Sequence, residues 1–497
     1  MLAVEQMAIH VGCVYRAKKC ERFLGFVALT ETSGEVIAPE IIQFLERVGL
    51  DLQLLRAQGY DGAGNMQGAH RGAGSRIRRL WPKAIVVHCE GHRLNLVVVD
   101  SVKGLRLVEN AMGMIDELWT FFHYSPKRTH HLSDTRADPK YADCEAGQLH
   151  SFCRTRWVQR QSGLGVIAGA YVPIVEALAS MDGEGWNTKT KCQAAGLMTN
   201  LESTQTMFSI FATKEILSSL KALTVKIQAP ALDVFASFNL IEAVKAELQF
   251  NRDHVDTYHA GIWATMMKTN DALELSSPRI PRRARLQQHR DNTPADTVET
   301  YYRRTVTTPL LDRMIVSLGE RFDDSSSFMA LFHLMPSEVI KLPLLPGGGP
   351  DIAQWLALLT PALDMYRDDL AALTGGVHID DAQLRAELRR WWLLWKAAED
   401  HPMTVAPVLQ SARRLKYQYI GELLHILLTM PVSTCDCERS MSAKRRLKTY
   451  LRATMGQDRF SSLVNLHVNS DLEVDLDELM KKFANNKGVH RRANFYV

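Results

Sequence analysis

The sequence predicts an α/β core combined with a large all-helical region, and three observations carry that prediction. In the first hundred residues, short apolar and β-branched runs alternate with helical spacing, as in a sheet with parallel members. From Val102 to about Met430 the apolar periodicity is helical and strand signals are few. A chain of 497 residues exceeds one ordinary core, so two or three domains are expected.

Taken in order, residues 7–15 (MAIHVGCVY) and 22–30 (RFLGFVALT) read as two strands joined by a charged turn at 16–21. Residues 38–48 place Ile41, Ile42, Leu45 and Val48 at helical spacing. A strand approaches residues 58–61, and Asn65 can cap a helix that runs to about Leu80 and ends at Pro82. Residues 84–88 (AIVVH) are a buried-type strand, and another helix begins at His92. Within the helical region, Leu388, Trp392 and Trp395 share one stripe, which reads as core packing with aromatic base stacking as the alternative. Near the end, Ser433-x-x-Asp436 after Pro431 is a capping-box-like start for a helix that carries Glu438. A second helix begins near residues 456–457 and carries Phe460, Leu463, Val464 and Leu466.

Composition narrows the function classes. Net charge is only +4, so any nucleic-acid surface must be a local basic cluster. The eight cysteines are spread thinly, which points to a reducing compartment rather than a disulfide framework. Nothing reads as a zinc finger, a signal core or a membrane span.

Two carboxylates draw attention. Asp61 sits in a Gly-rich turn, and Cys89-x-x-His92 follows one helix and one strand later. Phosphodiester hydrolysis or transfer needs divalent metals held by converging carboxylates. Asp61 and Glu438 could serve together only if the helical region is an insertion that leaves the α/β core and returns to it. Taken singly, each has a plainer reading: a turn aspartate, a solvated helical pair of Glu438 with Arg439, and strand–helix packing for Cys89 and His92.

The order of the motifs adds a resemblance. GYDGAGNM at 59–66, CEGHRLNL at 89–96, CRTRW at 153–157, NTPADTVETYYRR at 292–304 and PVSTCDCERSMSAKRRLKTYLRATM at 431–455 resemble, over essentially the whole chain, the hAT family of cut-and-paste DNA transposases. The likeness is greatest to its zinc-finger MYM-type and repressor-of-the-inhibitor-of-the-protein-kinase-like branch.

That resemblance implies a mixed-sheet, RNase H-like core interrupted by a large all-helical insertion. Residues 1–102 would hold the first part of the core, 103–422 the insertion, 423–475 the C-terminal core helices and dimerisation region, and 476–497 a basic tail. Asp61 and Glu438 would be the second and last catalytic carboxylates and would hold Mg²⁺ or Mn²⁺. Cys89 and His92 would flank the active site, and Trp157 would support a flipped base. Leu447, Leu451, Phe460, Leu463 and Leu466 would serve dimerisation. The basic clusters offer phosphate contacts through Arg76, Arg79, Arg282, Arg283, Arg439, Lys444, Arg445 and Arg446, with no base reading.

The family's first Asp lies in a DETTD-like segment on the first core strand, and no Asp precedes Asp51 here. The expectation is therefore an N-terminally truncated core. With two of three carboxylates it would not cleave DNA, and it would act in the nucleus through dimerisation, or a higher homo-oligomer, and non-specific DNA binding without any membrane role. The alternative is a fragment of an active metal-dependent transposase whose first catalytic Asp lies upstream of Met1. The family's N-terminal zinc finger is not among these residues, so sequence-specific DNA binding is not expected of them.

Overall fold

The computed structural model describes residues 5–141, 157–229, 232–280, 297–322, 327–376, 378–447 and 456–484, and a β-hairpin comes first. Its strands, β1 (Glu5–Tyr15) and β2 (Lys18–Leu29), run antiparallel in register from Glu5↔Leu29 to Tyr15↔Lys18. The pairing extends through Cys13↔Cys20 and Gly12↔Glu21, residues whose charge had suggested a longer turn. What remains of that turn is Arg16–Ala17, with φ of +50° and +57°. Two consecutive positive φ values give the type I′ geometry whose twist matches the strands. Between Ile9 and His10 the register slips, since Ile9 pairs with Gly25 and His10 with Phe23, which bulges β2 at Leu24.

The chain forms two units: residues 1–58, 63–86 and 434–497 make the first, and residues 59–62 and 87–433 the second. In the first unit the helix Gly34–Arg47 buries Ile37, Ile41, Phe44 and Leu45. The Phe44 ring lies on Gly25, where a Cβ would come within 3.0 Å of it. Phe23 and Phe26 form a separate cluster with Ala443 of the helix Cys435–Leu447 and with Phe460 and Val464 of the helix Gln457–Val468. Phe26 and Phe460 stack with centroids 6.0 Å apart.

The helix Gln457–Val468 and the residue just past it also satisfy the backbone of β2. Ser461 Oγ accepts from Phe26 N at 3.3 Å, Asn465 donates to Leu24 O at 3.2 Å, and Asn469 donates to Phe23 O at 3.0 Å. Spacing of i, i+4, i+8 aligns these side chains on one helix face. Backbone groups that a further strand would have taken are bonded to a helix instead, one of the ways natural sheets close an edge.

Residues 64–80 differ from the single helix expected. Two pieces, Gly64–Gln67 and Ala73–Leu80, are separated by a tight reversal. A Cβ at Gly72 would stand 2.4 Å from Gly68 N, and one at Gly68 would stand 2.6 Å from Gly64 O. Only glycine permits that fold-back. Asn65 donates to Thr32 O at 2.7 Å instead of capping a helix.

Strands β3 (Ala57–Tyr60) and β4 (Ile85–His88) pair with each other. Ile85 N donates to Arg56 O and Cys89 N to Tyr60 O, so the two run parallel, as the alternation of strands and helices had suggested. Among the described residues the strands make two two-stranded sheets where a single mixed sheet was expected.

The second unit is helical throughout its described residues, apart from the ends of β3 and β4 and one bridge, Leu344↔Pro350. The helix Glu90–Val102 belongs here and packs on Thr308–Arg321, and the change of unit falls at 86/87 and 433/434. In the helix Asp381–Ala397, Leu388, Trp391, Trp392 and Trp395 are all buried, and Trp391 Nε1 donates to Leu334 O at 2.9 Å. The tryptophan stripe is core, as its spacing indicated. No single described helix is long and apolar enough to cross a membrane.

Candidate functional site

The second unit holds the Asp61 turn. Asp61 is the first residue past β3, and Cys89, the first past β4, is the N-cap residue of the helix Glu90–Val102. The bond from Cys89 N to Tyr60 O, 2.8 Å, ties the ends of the two strands. The half-buried Asp61 and the imidazole of His88 therefore share one strand-end corner.

His88 was not singled out from sequence, and it sits closest to the turn. A Cβ on Gly62 would be 2.8 Å from His88 Nε2, so glycine is what lets the turn lie on the ring. That nitrogen is buried and has no hydrogen-bond partner among the described residues. Burial lowers the His88 pKa to about 4; Arg93, His92 and Arg321 add to the effect and Asp61 opposes it. The ring is neutral at pH 7. Its signal in the sequence was its place at the end of AIVVH, directly before Cys89.

Cys89 is buried and His92 is half-buried one helical turn on. Their neighbours are anchored by polar contacts inside the unit. Buried Glu90 accepts from Ser237 Oγ, and its backbone N–H donates to Val432 O at 3.0 Å. Buried Arg93 donates to Arg321 O and lies over the Phe322 ring, 4.4 Å from its centroid. Arg321 pairs in turn with Asp100, its Nε 2.9 Å from Oδ2.

Glu438 belongs to the first unit, half-buried in the first turns of the helix Cys435–Leu447. Acidic residues begin this helix and Lys444, Arg445 and Arg446 end it, the arrangement that complements the macrodipole. The groups beside Glu438 form a network that sequence reading did not anticipate. Arg439 Nε donates to Asp436 Oδ1 at 2.9 Å. Glu21 of β2 is hydrogen-bonded to Asp436 and paired with Lys19 at 3.3 Å. Burial first, and then the bond to Asp436, push the Glu21 pKa up to about 7. Burial also raises Asp436, but bonds from Glu21 and Arg439 outweigh it and hold Asp436 below its ordinary range. His10 Nε2 lies 2.7 Å from Ser440 Oγ, which donates to Asp436 O at 3.1 Å. Ser440 has spent its proton, so His10 Nε2 must be the donor. Burial lowers the His10 pKa to about 4.

Beside the Asp61 turn the structure places the His88 imidazole, a nitrogen donor, whereas Mg²⁺ and Mn²⁺ favour oxygen. Around Glu438 the nearby carboxylates are committed to each other and to Arg439 and Lys19. Among the described residues no group of three His, Cys, Asp or Glu side chains is placed to hold a metal.

The remaining candidates are placed as follows. Trp157 begins the helix Trp157–Gly169, and its side chain lies outside the described residues, as do Arg282, Arg283 and Leu451. Arg76 pairs with Glu35 at 3.5 Å, and Arg79 donates to His70 O. Lys444 lies over Phe26, while Arg445 and Arg446 are exposed. Phe460 is buried in the unit's own core, where Leu447 packs against the cluster; Leu463 is half-buried and Leu466 is 66% exposed.

Comparison with known proteins agrees with the motif order. Residues 2–72 match the family described as ZMYM1/FAM200, RNase-like domain, and residues 398–472 match the hAT family C-terminal dimerisation region. The chain is 26% identical over 478 residues to the "52 kDa repressor of the inhibitor of the protein kinase" of Homo sapiens, covering 93% of this chain and 59% of that protein. The protein of the same name from Mus musculus is also 26% identical, over 479 residues, covering 93% and 60%. The chain thus spans about three-fifths of the length of these curated relatives. The resemblance first seen in the motifs is supported: residues 2–72 are similar to an RNase-like domain of the ZMYM1/FAM200 type, and residues 398–472 are similar to the hAT C-terminal dimerisation region.

Proposed function

We propose that this transposon-derived, hAT transposase-like chain works in the nucleus by associating with itself and by holding DNA phosphates without reading bases, and that it does not cleave DNA. The match of residues 398–472 to the hAT dimerisation region carries this reading. Two further observations support it. The helix Cys435–Leu447 ends in an exposed basic turn, Arg445 and Arg446, suited to phosphates. Beside Glu438, the carboxyl groups of Glu21 and Asp436 are bonded to each other and paired with Lys19 and Arg439, an arrangement that suits helix anchoring better than a hard divalent ion.

The experiment is a nicking assay on supercoiled DNA with Mg²⁺ and with Mn²⁺, run beside a gel-shift series on unrelated duplexes. Similar affinity for every duplex and no nicking are expected. Metal-dependent nicking that disappears in Glu438→Gln would overturn the inactive assignment and favour a working transposase centre. Such a result is the specific expectation of the second reading, in which Asp61 and Glu438 act together on metal.

A further inference from the structure

We infer that the helix Leu476–Ala484 is a contact between two copies of this chain, paired antiparallel with apolar face against apolar face. The inference rests on the self-association proposed above and names a surface for it. Leu476, Leu479, Met480 and Phe483 recur at i, i+3, i+4 and i+7, which is one stripe of a helix. They are 67, 51, 50 and 53% exposed, and Leu472 and Val474 just before them are 50 and 52% exposed. No described residue covers this strip. Nine residues are too few for a helix to be stable in water on its own, so such a face calls for a packing partner.

Two features select a second copy as that partner. The first is continuity: the dimerisation region ends at residue 472, four residues before the helix starts, and Leu466 within it is itself exposed. The second is charge. The first turn carries Asp477 and Glu478, and the last carries Lys481 and Lys482. Glu478 and Lys482 pair with each other within the helix at 2.7 Å; antiparallel pairing sets the remaining Asp477 beside the other copy's Lys481, whereas parallel pairing sets like charges together. The pattern is self-complementary, as a closed two-fold interface requires. One short strip is far below the roughly 1,200 Å² of a stable interface, so it extends the dimerisation region's contact and does not replace it.

The test uses the full chain in sedimentation equilibrium. Leu479→Glu combined with Phe483→Glu should raise the dimer dissociation constant by on the order of 100-fold with the circular dichroism unchanged, because both side chains are exposed. A second measurement fixes the direction. Met480 is the central residue of the helix, so in an antiparallel pair Met480→Cys should oxidise to a covalent dimer, and Leu476→Cys, at the end, should not. Wild type under the same oxidant controls for the exposed native thiols Cys13 and Cys192. A double variant that dimerises as tightly as wild type overturns the inference and leaves the self-association reading standing. Cross-linking through Leu476→Cys but not Met480→Cys overturns the antiparallel arrangement. A wild-type chain that stays monomeric at every concentration overturns both.

Discussion

The space that a side chain at position 62 would need is occupied by the His88 ring, and this gives a direct test of the corner around Asp61. Gly62→Ala should lower stability by about 1–3 kcal/mol in thermal melts, since the ring is packed and its Nε2 is buried. Gly64→Ala, with nothing within 4 Å, should be neutral or raise stability by up to about 1 kcal/mol, since alanine favours the helix more than glycine does. An equal effect of the two changes would show that the contact is unimportant. Glu387 makes a second case. From the helix Asp381–Ala397 it accepts from Gln418 N, Tyr419 N and Ile420 N at 2.9, 3.1 and 3.2 Å, and so caps the helix Gln418–Thr429, whose own N-cap Tyr417 makes no side-chain bond. Glu387→Ala should cost about 3 kcal/mol by denaturant unfolding and Glu387→Asp distinctly less, while a loss below about 0.5 kcal/mol would refute the cap. Asp233 repeats the device, accepting from Ala236 N at the start of its own helix and from Val405 N at the start of another. None of this was legible in the sequence. A capping box is read from residues three apart, whereas Glu387 serves donors more than thirty positions away. Asp61 and the Cys89–His92 pair could be singled out in the sequence because each lies within a short contiguous motif.

At the scale of elements, strands and helices were read correctly where pattern alone decides them and missed where geometry intervenes. The hairpin was visible in its apolar runs, but its turn was placed too wide because charged residues 18–21 suggested loop; in the structure Lys19 and Glu21 pair along the strand. The two-residue turn places Arg16 and Ala17 at positive φ, where side chains are strained. Arg16→Asn with Ala17→Gly should therefore stabilise the chain by about 1 kcal/mol in equilibrium unfolding. The junction of this hairpin with the helix Cys435–Leu447 should also respond to pH. The Glu21 pKa is raised to about 7, so the stability from its protonated bond to Asp436 is complete below the ordinary carboxylate range and is lost as pH rises through about 7. Asp436, held below its ordinary range, has the opposite sign and loses its contribution only on acidification. Melting temperature should fall between about pH 4.5 and about pH 7, and Glu21→Gln, which keeps a donor without a charge, should flatten that fall. A wild-type profile that is already flat would contradict the shared proton.

For the whole molecule the informative quantity is how nearly its charges cancel. Lys and Arg number 59 against 55 Asp and Glu, so a net charge of +4 gives almost no long-range pull on a polyanion. The DNA affinity proposed above would come from cations that are both exposed and not spent on a partner inside the protein. Arg76 is paired with Glu35 and Arg439 with Asp436, and Arg22 is paired with Asp471. Arg445 and Arg446 are exposed at the end of their helix, and no ion pair or hydrogen bond among the described residues engages their side chains. Each phosphate neutralised releases condensed counterions, so the logarithm of the binding constant falls with the logarithm of salt by about 0.9 per contact. Arg445→Gln with Arg446→Gln should reduce that slope by about 2 and weaken binding equally on all duplexes, because phosphates carry no sequence. Arg76→Gln, which removes a cation already engaged, should change the slope by less than about 0.5. An unchanged slope in the double variant would move the DNA contact away from this helix. A loss confined to one duplex sequence would mean that bases are read, and would replace non-specific holding with recognition.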